Sequence, residues 1–192
     1  MIRIIAGKHK GRVIPTIKSA DYRPSTGKFR EALFSILTSG EFVKDEILQN
    51  AKILDLYSGT GSLSFEALSR GALSATLVDI NQEYLKAAKQ FSEKIGEVET
   101  TQFLKLSATS LPFSGRQYNL VFMDPPYAKN FINKTINSLI KNKWLENQAI
   151  IIADSDIREE ISSNNKLEII DQRNYGNSKM IILKFENQPT KD

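Results

Sequence analysis

The residues that most clearly suggest a chemical function form the segment Asp124-Pro125-Pro126-Tyr127, which follows the predicted strand 119–123. Two consecutive prolines stiffen the backbone and remove two backbone donors, so we expect the Asp124 carboxylate and the Pro125 carbonyl to be rigid acceptors. These acceptors could hold both N–H bonds of an amino group, while the Tyr127 ring stacks on an unstacked base. The segment therefore predicts a site that orients an exocyclic base amine, although Asp and Pro also occur in ordinary turns.

A second pattern is the strand-to-helix turn in residues 54–62, which read Leu-Asp-Leu-Tyr-Ser-Gly-Thr-Gly-Ser. Gly59 and Gly61 would let the backbone approach a ligand closely and adopt positive φ. Asp79 ends the next predicted strand, where a carboxylate can accept hydrogen bonds from both hydroxyls of a ribose. Ile80, next to it, is expected to contact the same ligand. Together these residues predict a cofactor that contains adenosine.

Asp55 and Ser64 help to choose the cofactor. Dinucleotide fingerprints have a third small residue, usually Gly or Ala, where this chain has Ser64, and Asp55 lies inside the preceding strand. A carboxylate that close to the glycine turn suits a cation better than a pyrophosphate, and S-adenosylmethionine carries a sulfonium and an amino group. The sequence therefore favours methyl transfer, which needs no metal, over hydride transfer by a nicotinamide cofactor.

Alternating strands and helices must position these residues. The pattern predicts strands at 53–57, 75–80, 101–106, 119–123 and 149–153, and helices at 62–70, 82–95 and 131–141. Such alternation is typical of a parallel sheet covered on both faces. The runs 166–173 and 179–186 predict an antiparallel hairpin at the end of the sheet. The expected fold is therefore α/β, a doubly wound, mostly parallel, seven-stranded sheet of the Rossmann-like type, with Trp144 and Phe131 in core or flanking positions.

The amino-terminal residues differ from the rest. Residues 3–6 and 12–14 predict two short strands around a basic tip, and a helix should follow between Ser25 or Thr26 and Gly40. We expect a separate basic hairpin over residues 1–20, a main domain over 21–187 and a frayed tail over 188–192.

Composition limits the class of protein. The 192 residues are 41% hydrophobic and 25% charged and contain no cysteine, which is typical of one globular domain without disulfides. The net charge of +4 is uneven, because cations crowd the first thirty residues and could attract a polyanion. No apolar run is long enough for a membrane span or a signal peptide, so we expect a cytoplasmic protein.

The chain resembles the bacterial methyltransferases of the RsmD type, which methylate guanine N2 in 16S ribosomal RNA. The likeness rests on Arg3-Ile4-Ile5-Ala6-Gly7 with Gly11-Arg12, Arg23-Pro24-Ser25-Thr26 with Arg30-Glu31-Ala32-Leu33-Phe34, residues 54–61, Glu66-Ala67-Leu68-Ser69-Arg70-Gly71, Asp124-Pro125-Pro126-Tyr127 and Tyr175-Gly176. DNA adenine methyltransferases share the Asp-Pro-Pro-Tyr segment, so the amino-terminal blocks point to the substrate class.

The resemblance implies a class I methyltransferase fold, S-adenosylmethionine as cofactor, and a monomer that acts on 16S ribosomal RNA in a partly assembled small subunit. Asp79 would hold the ribose, Asp55, Gly59 and Gly61 would surround the methionine part, and Ser107 and Ala108 would lie near the adenine. The residues expected to contact RNA are Lys8, His9, Lys10, Arg12, Arg23 and Arg30. The family more often has Asn or Asp where Ser107 stands, and Gly27-Lys28 replaces a usual acidic and apolar pair.

Two other functions remain open from the sequence. An adenine-N6 DNA methyltransferase would share the Asp-Pro-Pro-Tyr segment, but a DNA target-recognition domain would need extra length. A non-catalytic RNA-binding assembly factor could keep the fold and the basic hairpin. Calorimetry that detected no binding of S-adenosylmethionine would favour the second alternative.

Overall fold

The computed structural model describes residues 2–17, 27–39, 47–126, 130–162 and 166–187. In chain order, its elements are β1 (Ile2–Arg3), β2 (Val13–Ile14), α1 (Gly27–Ser39), β3 (Lys52–Leu56), α2 (Ser62–Ser69), β4 (Ser74–Asp79), α3 (Gln82–Ile95), β5 (Thr101–Lys105), β6 (Tyr118–Met123), α4 (Phe131–Lys141), β7 (Leu145–Asp156), β8 (Leu167–Tyr175) and β9 (Ser178–Phe185). A 3₁₀ turn, Ala108–Ser110, follows β5. The expected bounds of α1 at Ser25, Thr26 and Gly40 lie outside the described residues.

The main sheet has seven strands in the order β5-β4-β3-β6-β7-β9-β8. The strands from β5 to β7 are parallel, and β9 runs antiparallel between β7 and β8. This arrangement confirms the doubly wound sheet and the terminal hairpin that the sequence predicts. From β3 the chain adds β4 and β5 on one side, and it then returns to add β6 and β7 on the other side of β3. In sheets with such a switch between two neighbouring strands, ligands bind outside the carboxyl ends of these strands.

Hydrophobic clusters cover both faces of the sheet. Ile53 and Phe122 belong to the cluster that contains α1, α2 and α3 residues, whereas Leu54 and Val121 belong to the cluster that contains α4 residues. Successive strand residues point to opposite faces, so this alternation explains why β3 and β6 carry apolar residues on both faces. Trp144 is only 4% exposed in the second cluster, as its predicted core position requires.

Strand β7 is longer than the predicted strand at 149–153. Leu145 pairs with Tyr118, but the next pair joins Ile150 to Leu120, so β7 carries extra residues at this point. Gln148 has a φ of 67° in this bulge. The sequence predicts a loop at 146–148 because these residues are polar. In the structure they form a bulge, which leaves the ladder without ending the strand. None of the helices in the described ranges is both long and apolar enough to cross a membrane.

The amino-terminal hairpin of β1 and β2 packs against α2. The buried Glu66 carboxylate accepts hydrogen bonds from the backbone N–H groups of Ile5, at 2.7 Å, and Ala6, at 3.1 Å. The Arg70 side chain donates a third hydrogen bond to the same carboxylate, at 2.7 Å. A buried charge with three donors is well compensated. Glu66 therefore joins the hairpin to the main sheet through α2.

Candidate active site

The glycine turn after β3 has a backbone that excludes larger residues. The N–H of Gly61 donates to the carbonyl of Ser58 at 2.8 Å, which closes the turn. Gly61 has a φ of +82°, and a Cβ there would lie 2.6 Å from Leu77 and 2.7 Å from Phe65. Both the conformation and the crowding require glycine at this position. The turn therefore brings backbone close to any ligand above the carboxyl end of β3.

Asp79 ends β4 with its carboxylate fixed by two backbone donors. The N–H of Gly59 donates to Oδ2 at 2.9 Å, and the N–H of Asn81 donates to Oδ1 at 2.8 Å. Each carboxylate oxygen keeps a second lone pair, which suits two ribose hydroxyls. The neighbouring Ile80 side chain is 71% exposed and offers an apolar surface beside this carboxylate. The arrangement fits the ribose and the ring of an adenosine.

Asp55 lies beneath the glycine turn. Its carboxyl is 2% exposed and accepts hydrogen bonds from the Ser64 hydroxyl at 2.7 Å and the Ser64 N–H at 3.2 Å. Burial raises the pKa of Asp55 from its ordinary 3.8 to about 7, against the lowering effect of the Ser64 hydrogen bonds. Ser64 occupies the third small position of the turn, and its hydroxyl is directed to Asp55.

Ser107 and Ala108 follow β5 at the same edge of the sheet as Asp79. The Ser107 hydroxyl lies 3.0 Å from the Thr109 hydroxyl, and Ala108 is buried. Strand β5 is the neighbour of β4, with Lys105 paired to Asp79. The structure thus brings together, at the carboxyl ends of three adjacent strands, the residues that the sequence assigns to the cofactor.

Ser58 provides a test of whether this turn fits S-adenosylmethionine. Its Oγ is shielded from solvent and has no hydrogen-bond partner within the described part of the chain. A buried hydroxyl without a partner is unusual, so it indicates a place for a polar ligand group. With the closely approaching backbone at Gly61 and the fixed Asp79 carboxylate, the donor and acceptor set fits an amino acid joined to a nucleoside.

The Asp-Pro-Pro segment begins directly after β6. Asp124 is half-buried, and its N–H lies 3.5 Å from the carbonyl of Leu56 at the end of β3. Pro125 is buried and Pro126 is exposed. The segment therefore starts beside the glycine turn, as the sequence predicts. Tyr127 lies outside the described residues, so its stacking on a base stays a prediction.

Tyr57 lies between β3 and the glycine turn, a position that the sequence assigned to the strand. It was expected to end the strand, but β3 stops at Leu56 and Tyr57 has a φ of 62°. Its hydroxyl lies 2.6 Å from the Thr135 hydroxyl, and its ring centroid is 5.9 Å from that of Phe131. A positive φ is uncommon for residues other than glycine, so the sequence gives no sign that the strand ends before Tyr57.

The residues expected to contact RNA have different surroundings. The Lys8 Nζ and the His9 Nε2 each lie 2.6 Å from the same Glu97 carboxylate oxygen. Arg30 is 6% exposed and donates to the carbonyl of Arg3 at 3.0 Å. The structure therefore gives these three side chains partners within the protein.

Lys10 and Arg12 are exposed on the hairpin, and Arg23 lies outside the described residues. The hairpin tip is at the edge of the sheet opposite the glycine turn, because the N–H of Lys8 donates to the carbonyl of Ser69 at the carboxyl end of α2, at 2.8 Å. Helix α2 starts at the glycine turn and runs away from it. The basic tip and the Asp-Pro-Pro segment are thus separated by the length of a helix.

Comparisons with known proteins agree with this geometry. The profile of the family described as conserved hypothetical protein 95 matches residues 2–184. A methylase of Rickettsia prowazekii is 35% identical, over 97% of this chain and 99% of the relative. The ribosomal RNA small subunit methyltransferase D of Escherichia coli is 32% identical, over 81% of this chain and 75% of the relative. The solved structure of Escherichia coli yhhF is 28% identical and has a TM-score of 0.85, over 97% of this chain and 99% of that chain.

Proposed function

We propose, on the premise that this chain belongs to the RsmD-type family of S-adenosylmethionine-dependent methyltransferases, that it methylates the exocyclic N2 amine of a guanine in 16S small-subunit ribosomal RNA. The substrate would be a partly assembled small subunit in the cytoplasm, and the enzyme would act as a monomer. The proposal takes its substrate class from the ribosomal RNA methyltransferases that are more than 30% identical to this chain.

The observation that carries the proposal is the position of the Asp-Pro-Pro segment beside the glycine turn. Leu56 and Met123 are paired at the ends of β3 and β6, so the two segments leave the sheet at the same level. The contact between the Asp124 N–H and the Leu56 carbonyl reinforces this proximity. An amine held by Asp124 would therefore lie next to a ligand held by the turn.

An exocyclic base amine is a weak nucleophile, because its lone pair is delocalised into the ring. The Asp124 carboxylate and the Pro125 carbonyl would accept hydrogen bonds from its two N–H groups and direct the nitrogen lone pair toward the reacting carbon. Bound S-adenosylmethionine would supply the methyl group, which its sulfonium charge activates. The alkylated nitrogen becomes acidic, and its surplus proton would pass to Asp124 or to water. Orientation therefore accounts for most of the work assigned to these residues.

Different residues would bind different parts of the cofactor. Asp79 would accept hydrogen bonds from the ribose hydroxyls, with Ile80 and Ala108 against the adenine ring. Ser58 and the backbone at Gly59 and Gly61 would bind the methionine part, near Asp55. The fixed carboxylate of Asp79 and the Ser58 hydroxyl, which has no partner among the described residues, support this division.

The direct test is methyl transfer from tritiated S-adenosylmethionine to small subunits prepared from cells that lack this protein. Mass spectrometry of the labelled RNA should find a single guanine that gains a methyl group at N2. In a parallel reaction with DNA as substrate, label only in DNA adenine would support the other methyltransferase class, and label in neither substrate would overturn the proposal. If neither substrate is labelled, calorimetry with S-adenosylmethionine alone shows whether the protein binds the cofactor.

Asp124→Ala should lower kcat by 10²-fold or more, a magnitude typical of losing one preorganised polar contact in a transition state. The Kd for the cofactor should change little, because Asp124 is assigned to the base. Asp171→Ala, on the edge strand β8, serves as the matched control and should keep full activity. Equal activity of the two variants would remove Asp124 from the mechanism.

A further inference from the structure

One carboxylate oxygen of Glu159 finds no hydrogen-bond donor among the residues that the structure describes. Glu159 is half-buried, and its Oε1 is shielded from solvent with no hydrogen-bond partner in the described part of the chain. A carboxylate oxygen removed from water without a donor is costly, and native structures contain few such atoms. Glu159 therefore needs a donor that a ligand could supply.

The segment that carries Glu159 is held in place against α4. The Asn133 side-chain amide donates to the carbonyl of Glu160 at 2.9 Å and accepts from the N–H of Ser162 at 2.9 Å. The N–H of Glu159 donates to the carbonyl of Asp156, the last residue of β7, at 3.0 Å. Because β7 runs parallel to β6, this segment lies at the same edge of the sheet as the Asp-Pro-Pro segment.

Tyr57 connects Glu159 to the active site. Burial raises the pKa of Tyr57, the Thr135 hydrogen bond lowers it, and the negative charge of Glu159 raises it further. Glu159 is therefore near enough to act on the Tyr57 phenol. Tyr57 follows Leu56 directly, and the carbonyl of Leu56 faces the Asp124 N–H. Tyr57 therefore adjoins the strand end that Asp124 contacts, and its phenol lies within reach of the Glu159 charge.

The chemistry of guanine gives a second carboxylate at this edge of the sheet a use. The N2 amine of guanine is bonded to C2, and the adjacent N1 carries a hydrogen. Adenine has a bare lone pair at its N1, which a carboxylate repels. A base whose amine is held by Asp124 would need one further acceptor for its N1–H.

We propose that Glu159 accepts the hydrogen bond from guanine N1–H and thereby selects guanine as the target base. The inference rests on the proposed function, because it takes guanine N2 as the methylated amine. Glu159 is a specificity residue in this scheme, and Asp124 remains the residue that holds the reacting nitrogen. A hydrogen bond to a buried charged acceptor corresponds to roughly 10- to 100-fold in binding.

The test exchanges guanine for 2-aminopurine at the target position of the substrate that the wild-type protein methylates. 2-Aminopurine keeps the amine at C2 but has a bare N1. Wild-type protein should prefer guanine in kcat/KM. Glu159→Gln should lower kcat/KM for guanine by roughly 10- to 100-fold and raise it for 2-aminopurine, because the Gln amide can donate to the bare N1. The missing O6 of 2-aminopurine affects both proteins alike and cancels in the ratio.

Glu160→Gln is the matched control, because Glu160 is exposed in the same segment and only its backbone is used in the contact with Asn133. It should leave the preference for guanine unchanged. Equal loss on both substrates in Glu159→Gln would assign Glu159 a structural role and overturn the inference, as would an unchanged preference. If wild-type protein methylates no guanine N2, the proposed function fails at that earlier step and the inference fails with it.

Discussion

At the scale of single residues, cofactor affinity should depend most on Asp79. Its carboxylate would bind the ribose, and it also fixes the backbone at Gly59. Asp79→Ala should weaken the binding of S-adenosylhomocysteine by roughly 10- to 100-fold, as expected for losing hydrogen bonds to a charged acceptor. Isothermal titration calorimetry measures this change directly, and kcat at saturating cofactor should fall far less.

Glu83→Ala is a suitable comparison for that measurement, because Glu83 is exposed at the start of α3, four residues after Asp79. Its Kd should match that of the wild-type protein. A Kd for Asp79→Ala within twofold of the wild-type value would separate Asp79 from the ribose.

Asp55 should make the stability of the protein depend on pH. Burial raises the pKa of Asp55 to about 7, with smaller opposing effects from Ser64 and a small further rise from Asp79. The unfolded chain loses this proton near pH 4, whereas the folded protein keeps it until about pH 7. The contribution of Asp55 to stability is therefore present at low pH and is lost as the pH rises from 4 to 7.

Asp55→Asn removes this titration and keeps an acceptor for the Ser64 donors. The free energy of unfolding of the variant should exceed that of the wild-type protein increasingly from pH 5 to pH 8, by up to roughly 4 kcal/mol. Urea denaturation of the protein without cofactor, followed by circular dichroism, gives both curves. Curves that stay parallel over this range would contradict the raised pKa.

At the scale of elements, the junction between the hairpin and α2 should contribute strongly to stability. Glu66→Ala removes the common acceptor of the Ile5 and Ala6 N–H groups and leaves the half-buried Arg70 without its ion pair. The free energy of unfolding should fall by about 3–5 kcal/mol, as for other broken buried pairs. Chemical denaturation measures it.

Glu93→Ala provides the control for that experiment, because Glu93 is an exposed residue of α3. Exposed substitutions of this kind change stability by about 0.5 kcal/mol or less. If both variants unfold at the same denaturant concentration, the hairpin contributes nothing to the stability of α2.

The elements that the sequence predicted are those with strong local signals. Strands β3, β4 and β6 are largely apolar, Gly61 belongs to the turn after β3 and Asp79 ends β4, so the fold and the cofactor residues could be expected from local pattern. Contacts between distant segments have no such signal. The approach of Glu159 to Tyr57 depends on how the segment after β7 folds over α4, and the pairing of His9 with Glu97 joins residues 88 positions apart. These contacts are consequences of tertiary packing.

At the scale of the whole molecule, the distribution of positive charge suggests a large substrate. Lys10 and Arg12 are exposed at the edge of the sheet opposite the glycine turn, far from the Asp-Pro-Pro segment. We expect them to contact phosphates only when the RNA is long enough to reach both edges. The double variant Lys10→Ala/Arg12→Ala should raise KM for the small subunit but not for a short RNA around the target guanine.

The salt dependence of binding checks the same idea. Each lost phosphate contact should reduce the slope of log Kd against log salt concentration by roughly 0.7–0.9, so the double variant should lose about twice that amount. Lys86→Ala/Lys89→Ala on α3 removes the same charge elsewhere on the exposed surface and serves as the control. Equal slopes for both double variants would mean that the hairpin contacts RNA no more than any other basic surface.

The docking of the hairpin also has a consequence during synthesis of the chain. Ile5 binds Glu66, which is made 61 residues later, and His9 binds Glu97, made 88 residues later. The hairpin leaves the ribosome before the helices that it contacts, so its apolar residues Ile4 and Ile14 stay uncovered in the nascent chain until α2 and α3 have emerged.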